Sequence, residues 1–360
     1  MSKKEKLLSK FYILDKFNSR NWKPYSKVII RGDGSDWVLT SIANEMKTTL
    51  SRVNIDSIDN HYYHNIKNQC VFYTSKYEVL LDWKKIKHRI AFPYFHGLPE
   101  NSETFKLMFD NISKHHQQIN RVQVSHSIME SRILETGIDK SKIHRIPISI
   151  NNNLFKFVSN EEKKELRNKY KIPQNAVVIG SFQKDGDGWG KGLNPKLIKG
   201  PDILIEVLKQ LKEHIPNLFI LLSGPSRGFV IENLNRIGIP FLHFNLNRYE
   251  KIACLYNCLD LYMVTSREEG GPRAILESMA SGIPILSTKV GQAIDLIEHN
   301  KNGWLAEVED IDRLVELSLH IIENMNSNKV ILDFAKKTAE INSYDGQLNL
   351  WKKFMRGFVD

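Results

Sequence analysis

From residue 26 onward, short apolar runs alternate with longer amphipathic stretches. Residues 26–30, ending Val28-Ile29-Ile30, read as a strand, 31–35 as a glycine-bearing turn, and the stretch from about 36 to 50 as an amphipathic helix. Further strands are expected at 70–73, 89–92 and 121–124, with helical periodicity near 103–118 and 126–137. Strands separated by helical patterns argue for a parallel sheet covered by helices.

Between 146 and 159 the periodicity is lost and the chain turns polar, as a linker does. The alternation then restarts. Strands are expected at 176–180, 218–222, 241–242, 260–264 and 284–287, and helices at 201–214, near 227–237, at 248–258 and at 272–281. From about 310 the pattern is helical. Its last piece, 344–358, carries Leu348, Leu350, Trp351, Phe354 and Met355, an apolar face that must be buried against something. The expected domains are therefore 1–155 and 156–342, followed by a terminal helix at 343–360. Two consecutive α/β halves would place a ligand cleft at their interface.

Composition narrows the class. At 360 residues, 41% hydrophobic and 26% charged, the chain can bury a sizeable core and is neither disordered nor a disulfide miniprotein. Its three cysteines, an odd number spread widely, fit a reducing compartment. No segment reads as a signal peptide or membrane span, so a cytoplasmic location is expected. The net charge of +10 is uneven. Residues 1–150 hold 24 basic against 15 acidic residues, and residues 151–360 hold 27 against 26. A basic first half can attract nucleic acid, an anionic membrane or a phosphorylated substrate, and charge alone does not choose. Lys3, Lys4, Lys6 and Lys10, with Leu7, Leu8 and Phe11 between them, suit peripheral contact with an anionic membrane.

The densest chemistry lies in 266–284, SREEGGPRAILESMASGIP. A strand ends in a loop with two carboxylates and the pair Gly270-Gly271, and a helix is expected to start at or just after Pro272. Glycines let a ligand approach the backbone, and a helix start offers free N–H groups to an anion. Glu269 stands in the loop and Glu277 is expected about two turns along the helix, so the two could meet opposite ends of a polyhydroxyl ligand.

Glu269 and Glu277, within EEGGPRAILESMASGIPIL, resemble the E-x7-E signature of retaining glycosyltransferases of the group 1 (family 4) class, which have the GT-B fold. Other segments share the resemblance: Ile179-Gly180 through Lys199-Gly200, Leu222-Ser223-Gly224-Pro225, Val290-Gly291 and Asn302-Gly303. It covers roughly 85–358 and is strongest from 177 to 305. It implies two Rossmann-like α/β domains facing each other across a cleft, with the C-terminal helix crossing back to the first. It also implies that Glu277 binds the ribose of a nucleotide donor and that Glu269 binds the transferred sugar. Lys199 and Lys184 would clamp the diphosphate, helped by the backbone around Gly270, Gly271, Pro272 and Arg273 and by the Gly224 turn. His96, in Phe95-His96-Gly97, would face the donor sugar. The expected partners are a nucleotide-sugar donor and a glycan or lipid-linked acceptor, with no nucleic acid, no metal and no cofactor. A sugar-nucleotide epimerase and a non-catalytic binding subunit of the same fold are the alternatives.

Each signal has a blander reading. Two glutamates seven apart near a helix are usually solvated surface, and a lone lysine more often meets water than a ligand. Here the Gly-Gly-Pro between the glutamates and the strand before them reverse that expectation for Glu269 and Glu277. Lys199 gains from Gly200-Pro201, which place it just before a helix start. Gly32-x-Gly34 does not make a dinucleotide fingerprint, because Trp37 fills the third glycine position. His61, His64, His115 and His116 lack the spaced partners of a metal site. Cys254 and Cys258, four apart, read as one buried helix face.

Overall fold

The computed structural model describes residues 23–32, 38–59, 67–81, 83, 87–188, 190–325 and 327–360. The lysines at 3, 4, 6 and 10, with Leu7, Leu8 and Phe11, lie outside them, as do residues 33–37 and the histidines at 61 and 64. The chain divides into two compact units, Met1–Ile146 with Gln347–Asp360, and Pro147–Gly346. Each unit is built on one six-stranded, wholly parallel sheet.

In the first unit the strands are β1 (Val28–Arg31), β2 (Ser57–Asp59), β3 (Lys67–Tyr73), β4 (Lys87–Pro93), β5 (Ile119–Val124) and β6 (Ile143–Arg145). Their order is β2-β1-β3-β4-β5-β6. The helices are α1 (Val38–Arg52), α2 (Lys76–Leu80), α3 (Glu103–His115) and α4 (Ser127–Leu134). Alternate strand residues feed two apolar layers, as a sheet covered on both faces requires. Ile29, Val71, Ile90, Phe92, Val122 and Val124 face one layer, while Val28, Ile30, Cys70, Phe72 and Ala91 face the other.

The second layer is completed from the far end of the chain. Helix α13 (Leu348–Met355) lays Trp351, Phe354 and Met355 onto β1 and β3, with Phe72 6.3 Å from Trp351 and 6.1 Å from Phe354. Arg121 caps its C-terminal end, donating from Nε to Phe354 O at 2.8 Å and from Nη2 to Arg356 O at 2.6 Å. The expected return of the terminal helix to the first domain is thus realised, and it answers what buries that apolar face.

The second unit holds β7 (Val177–Phe182), β8 (Leu218–Ser223), β9 (Phe241–Phe244), β10 (Leu261–Val264), β11 (Ile285–Thr288) and β12 (Trp304–Ala306) in the order β12-β11-β10-β7-β8-β9. Its helices are α5 (Asn160–Lys169), α6 (Pro201–His214), α7 (Gly228–Ile237), α8 (Ile252–Tyr256), α9 (Ala274–Ala280), α10 (Ala293–Leu296), α11 (Ile311–Glu323) and α12 (Lys329–Ile341).

Most expected strands and helices are present, with three kinds of difference. Strands β2, β6 and β12 and helices α2, α5 and α10 were not expected. All three strands have only three residues and helices α2 and α10 only five and four, too few to show a period, and α5 follows the polar linker with a strongly charged sequence held by a Ser159–Glu162 capping box. The expected helix at 248–258 is instead a 3-10 turn (Tyr249–Lys251) followed by the short α8. Finally, α9 begins at Ala274, so Glu277 sits in its first turn rather than two turns along. Among the described residues no helix is long and apolar enough to cross a membrane.

Candidate active site

In an open parallel sheet, a crevice forms beyond the carboxyl ends of two neighbouring strands whose connections leave in opposite directions. In the second unit those strands are β7 and β10, paired at Ile179–Leu261 and Gly180–Tyr262. Gln183 and Lys184 follow β7, and the stretch from Thr265 to Arg273 follows β10. The expected site residues of this unit other than Gly224 therefore lie on the chain leaving these two strands.

Lys199 and Glu269 meet directly: Lys199 Nζ lies 2.6 Å from Glu269 Oε2, and Ser266 Oγ donates to Oε1 at 2.9 Å. Gly200 explains how they come together. It is left-handed at φ 62°, and a Cβ there would lie 1.9 Å from the Thr265 carbonyl oxygen. Only glycine lets the start of α6 lie against the end of β10 so closely. Thr265 Oγ1 donates to Gly200 O at 2.9 Å, and Gln183 Nε2 donates to Lys199 O at 3.2 Å. Beside them Arg267 makes a forked pair with Asp202 at 2.8 and 2.9 Å and also reaches Glu309 at 2.5 Å. The Arg267 guanidinium holds the Asp202 carboxyl below its ordinary range.

Glu277 is buried and its two oxygens are taken separately. Tyr256 Oη donates to Oε2 at 2.8 Å, and Tyr249 Oη donates to Oε1. Burial, and then the Glu277 charge, push both phenols well above their ordinary range, so both remain donors. Neither tyrosine was singled out in the sequence. The available signal was that a buried tyrosine needs a partner for its hydroxyl, and Tyr256 falls on an apolar helix face.

The loop between the glutamates is tightly packed. A Cβ on Gly271 would come within 2.7 Å of Ile148 Cδ1 and 2.9 Å of Gln292 Oε1. Gln292 accepts from Ile148 N at 2.8 Å and donates to Pro272 O at 3.4 Å, a bracing role the sequence did not disclose. Arg273 precedes α9, its guanidinium 5.9 Å from the Tyr249 ring centre. Gly270 is buried, and Lys184 is half-buried two residues beyond β7. Gly224 turns at φ 107°, where a Cβ would sit 2.9 Å from Gln183 O, so this turn also abuts the loop after β7. Beneath that loop Arg227 Nε lies 2.9 Å from Asp185 Oδ1, with both side chains almost wholly buried. This pair too was missed, because an Arg and an Asp 42 residues apart give no local signal.

In the first unit, His96 is exposed after β4. Its loop is firmly held. Lys76 Nζ donates to His96 O, Tyr94 Oη donates to Gly97 O at 2.9 Å, and His126 Nε2 is 3.3 Å from Phe95 O. Among the described residues no three His, Cys, Asp or Glu side chains group as metal ligands.

The fold class defined by these two units is GT-B: two Rossmann-like α/β domains, each with its own parallel sheet. HepE from Anabaena, solved with UDP and glucose, superposes with a TM-score of 0.68 at 17% identity, covering 92% of this chain and 98% of that one. Residues 193–338 match the family described as "Glycosyl transferases group 1". An uncharacterized glycosyltransferase of Haemophilus influenzae is 27% identical over 161 residues, 43% of this chain and 44% of that protein. The N-acetyl-alpha-D-glucosaminyl L-malate synthase of Bacillus anthracis is 24% identical over 129 residues, 36% of this chain and 34% of that protein. The chain thus spans less than half the length of these two relatives. The family match contains Lys199, Glu269 and Glu277 and lies wholly in the second unit.

Proposed function

We propose that this chain is a retaining group 1 glycosyltransferase. It would move a hexosyl group from a nucleotide-diphosphate sugar to a hydroxyl of a glycan or lipid-linked acceptor, in synthesis of a cell-surface polysaccharide or lipopolysaccharide. The observation that carries this reading is the placement of the Lys199–Glu269 pair and the buried Glu277 around the switch point of the second sheet. The UDP and glucose named for HepE support a nucleotide-sugar donor.

In this scheme Glu277 accepts ribose hydroxyls and Glu269 accepts hydroxyls of the transferred sugar. Lys199 keeps two donors beyond the one facing Glu269, and with Lys184 it holds the diphosphate. Backbone N–H groups of the Gly270-Gly271 loop and the start of α9 add to that hold. As the bond between the anomeric carbon and the phosphate oxygen breaks, its electron pair stays on the phosphate, where both lysines stabilise the growing charge. A phosphate oxygen takes the proton of the acceptor hydroxyl as the new C–O bond forms on the same face, which keeps the anomeric configuration. The lysines do the work of a cation, so turnover is expected in EDTA.

The test is a thermal-shift screen with UDP, GDP, ADP and CMP in EDTA. One nucleotide should raise the melting temperature by mass action. No shift with any of them at millimolar concentration would overturn the reading.

A further inference from the structure

The two phenols on Glu277 stand in unlike surroundings. Tyr256 is fully buried, its ring edge-on to Phe155 at 5.8 Å and to Phe182 at 5.0 Å, and tilted against Tyr262 at 5.0 Å. Moving it would open a cavity in a close-packed core. Tyr249 is 43% exposed and stands in the 3-10 turn after β9, with its ring edge-on to Phe155 at 6.2 Å. One hydroxyl is therefore locked on Oε2, while the other is buried against Oε1 and Arg273 at the tip of a residue that is itself part-exposed.

We propose that Tyr249 is a displaceable placeholder at the donor's ribose subsite and that Tyr256 is the positioning residue that keeps Glu277 aimed at it. With no ribose bound, the Tyr249 hydroxyl donates to Oε1 and offsets part of the cost of burying that carboxylate. An arriving ribose 2′-hydroxyl takes over Oε1, and the released phenol turns outward with its part-exposed ring to bond to water. The bond that Oε1 loses from Tyr249 is replaced by one from the ribose, so the exchange is cheap for a ligand with a 2′-hydroxyl to donate. A ligand lacking that hydroxyl has nothing to exchange and leaves Tyr249 in place. Tyr256 never moves, and its bond to Oε2 fixes the carboxylate rotamer.

This inference rests on Glu277 being the ribose residue, and its test separates the two claims. UDP and 2′-deoxy-UDP are titrated into the wild type, Tyr249→Phe, Tyr256→Phe and Glu277→Gln, with the guanine or adenine pair in their place if the thermal screen selects that base. Tyr249→Phe, which removes the competitor but keeps the ring, should tighten UDP about fivefold and leave 2′-deoxy-UDP unchanged, widening the gap between them. Tyr256→Phe should act in the opposite direction, weakening UDP and narrowing the gap. A merely structural role for either tyrosine would move both nucleotides together. If Glu277→Gln abolishes the preference for UDP while Tyr249→Phe changes nothing, or shifts both nucleotides equally, the placeholder proposal is overturned and the ribose assignment stands. If Glu277→Gln binds both nucleotides as the wild type does, the ribose assignment itself falls and the placeholder with it.

Discussion

The two units are built on the same plan, six parallel strands with apolar layers on both faces, yet they treat charge differently. In the second unit ionic groups are taken inside: Arg227 on Asp185, Arg167 2.7 Å from Asp260, and Glu277 under two phenols. In the first unit the ion pairs lie nearer solvent, as with Arg89 on Asp360 at 2.8 Å with side-chain exposures of 25% and 47%. The strand orders differ too, with the sequence reversing between β1 and β3 in one unit and between β7 and β10 in the other. A shared architecture therefore does not dictate where chemistry sits. The family match falls on the unit that buries charge beside its switch point.

Three contrasts test that difference. The largest effect is expected from the buried pair. Arg227→Met leaves Asp185 buried without its counter-ion and should cost about 3–5 kcal/mol, whereas Asp360→Asn in the first unit should cost no more than about 1 kcal/mol. Urea unfolding of the two variants measures both, and similar losses would break the comparison. Glycines give the second contrast. Gly200 and Gly137 are both left-handed, at φ 62° and 84°, but an added Cβ clashes with Thr265 O at Gly200 and meets nothing within 4 Å at Gly137. Gly137→Ala should cost about 1–2 kcal/mol from conformation alone. Gly200→Ala should cost distinctly more and also weaken nucleotide binding, because it moves Lys199.

The third contrast is pH. Burial, with Arg121 nearby, pushes His144 down to about 4. The unfolded chain, with its histidine at about 6.5, takes up that proton first. The first unit should therefore lose stability as pH falls from about 6.5 towards 4, with no further loss from this group below that. His144 packs edge-on to Phe354 at 5.0 Å, so the loosening should reach α13. Unfolding curves at pH 7 and 5 check it, and His144→Gln should flatten the dependence.

Much of this arrangement was legible in the sequence. The longer strands of both sheets stood out because they are continuous apolar runs, which parallel strands buried on both faces require. Glu269, Glu277 and Lys199 stood out because glycines and a proline surround them. What was not legible depended on partners distant in the chain. Tyr249 lies 28 residues from Glu277, and Asp202 65 residues from Arg267. Each is an ordinary polar residue until the sheet brings its partner to it. Segments 57–59, 143–145 and 304–306 are too short for periodicity to register, and only their ladders to β1, β5 and β11 make them strands.

The switch point of the second unit is proposed to bind a nucleoside diphosphate through Glu277. The most direct measurement is calorimetric titration of UDP, GDP and ADP into the wild type and Glu277→Ala, with folding of the variant checked by circular dichroism. One nucleotide should bind the wild type, and a folded Glu277→Ala should lose that binding by at least about a hundredfold. Equal affinity in the two proteins would contradict it.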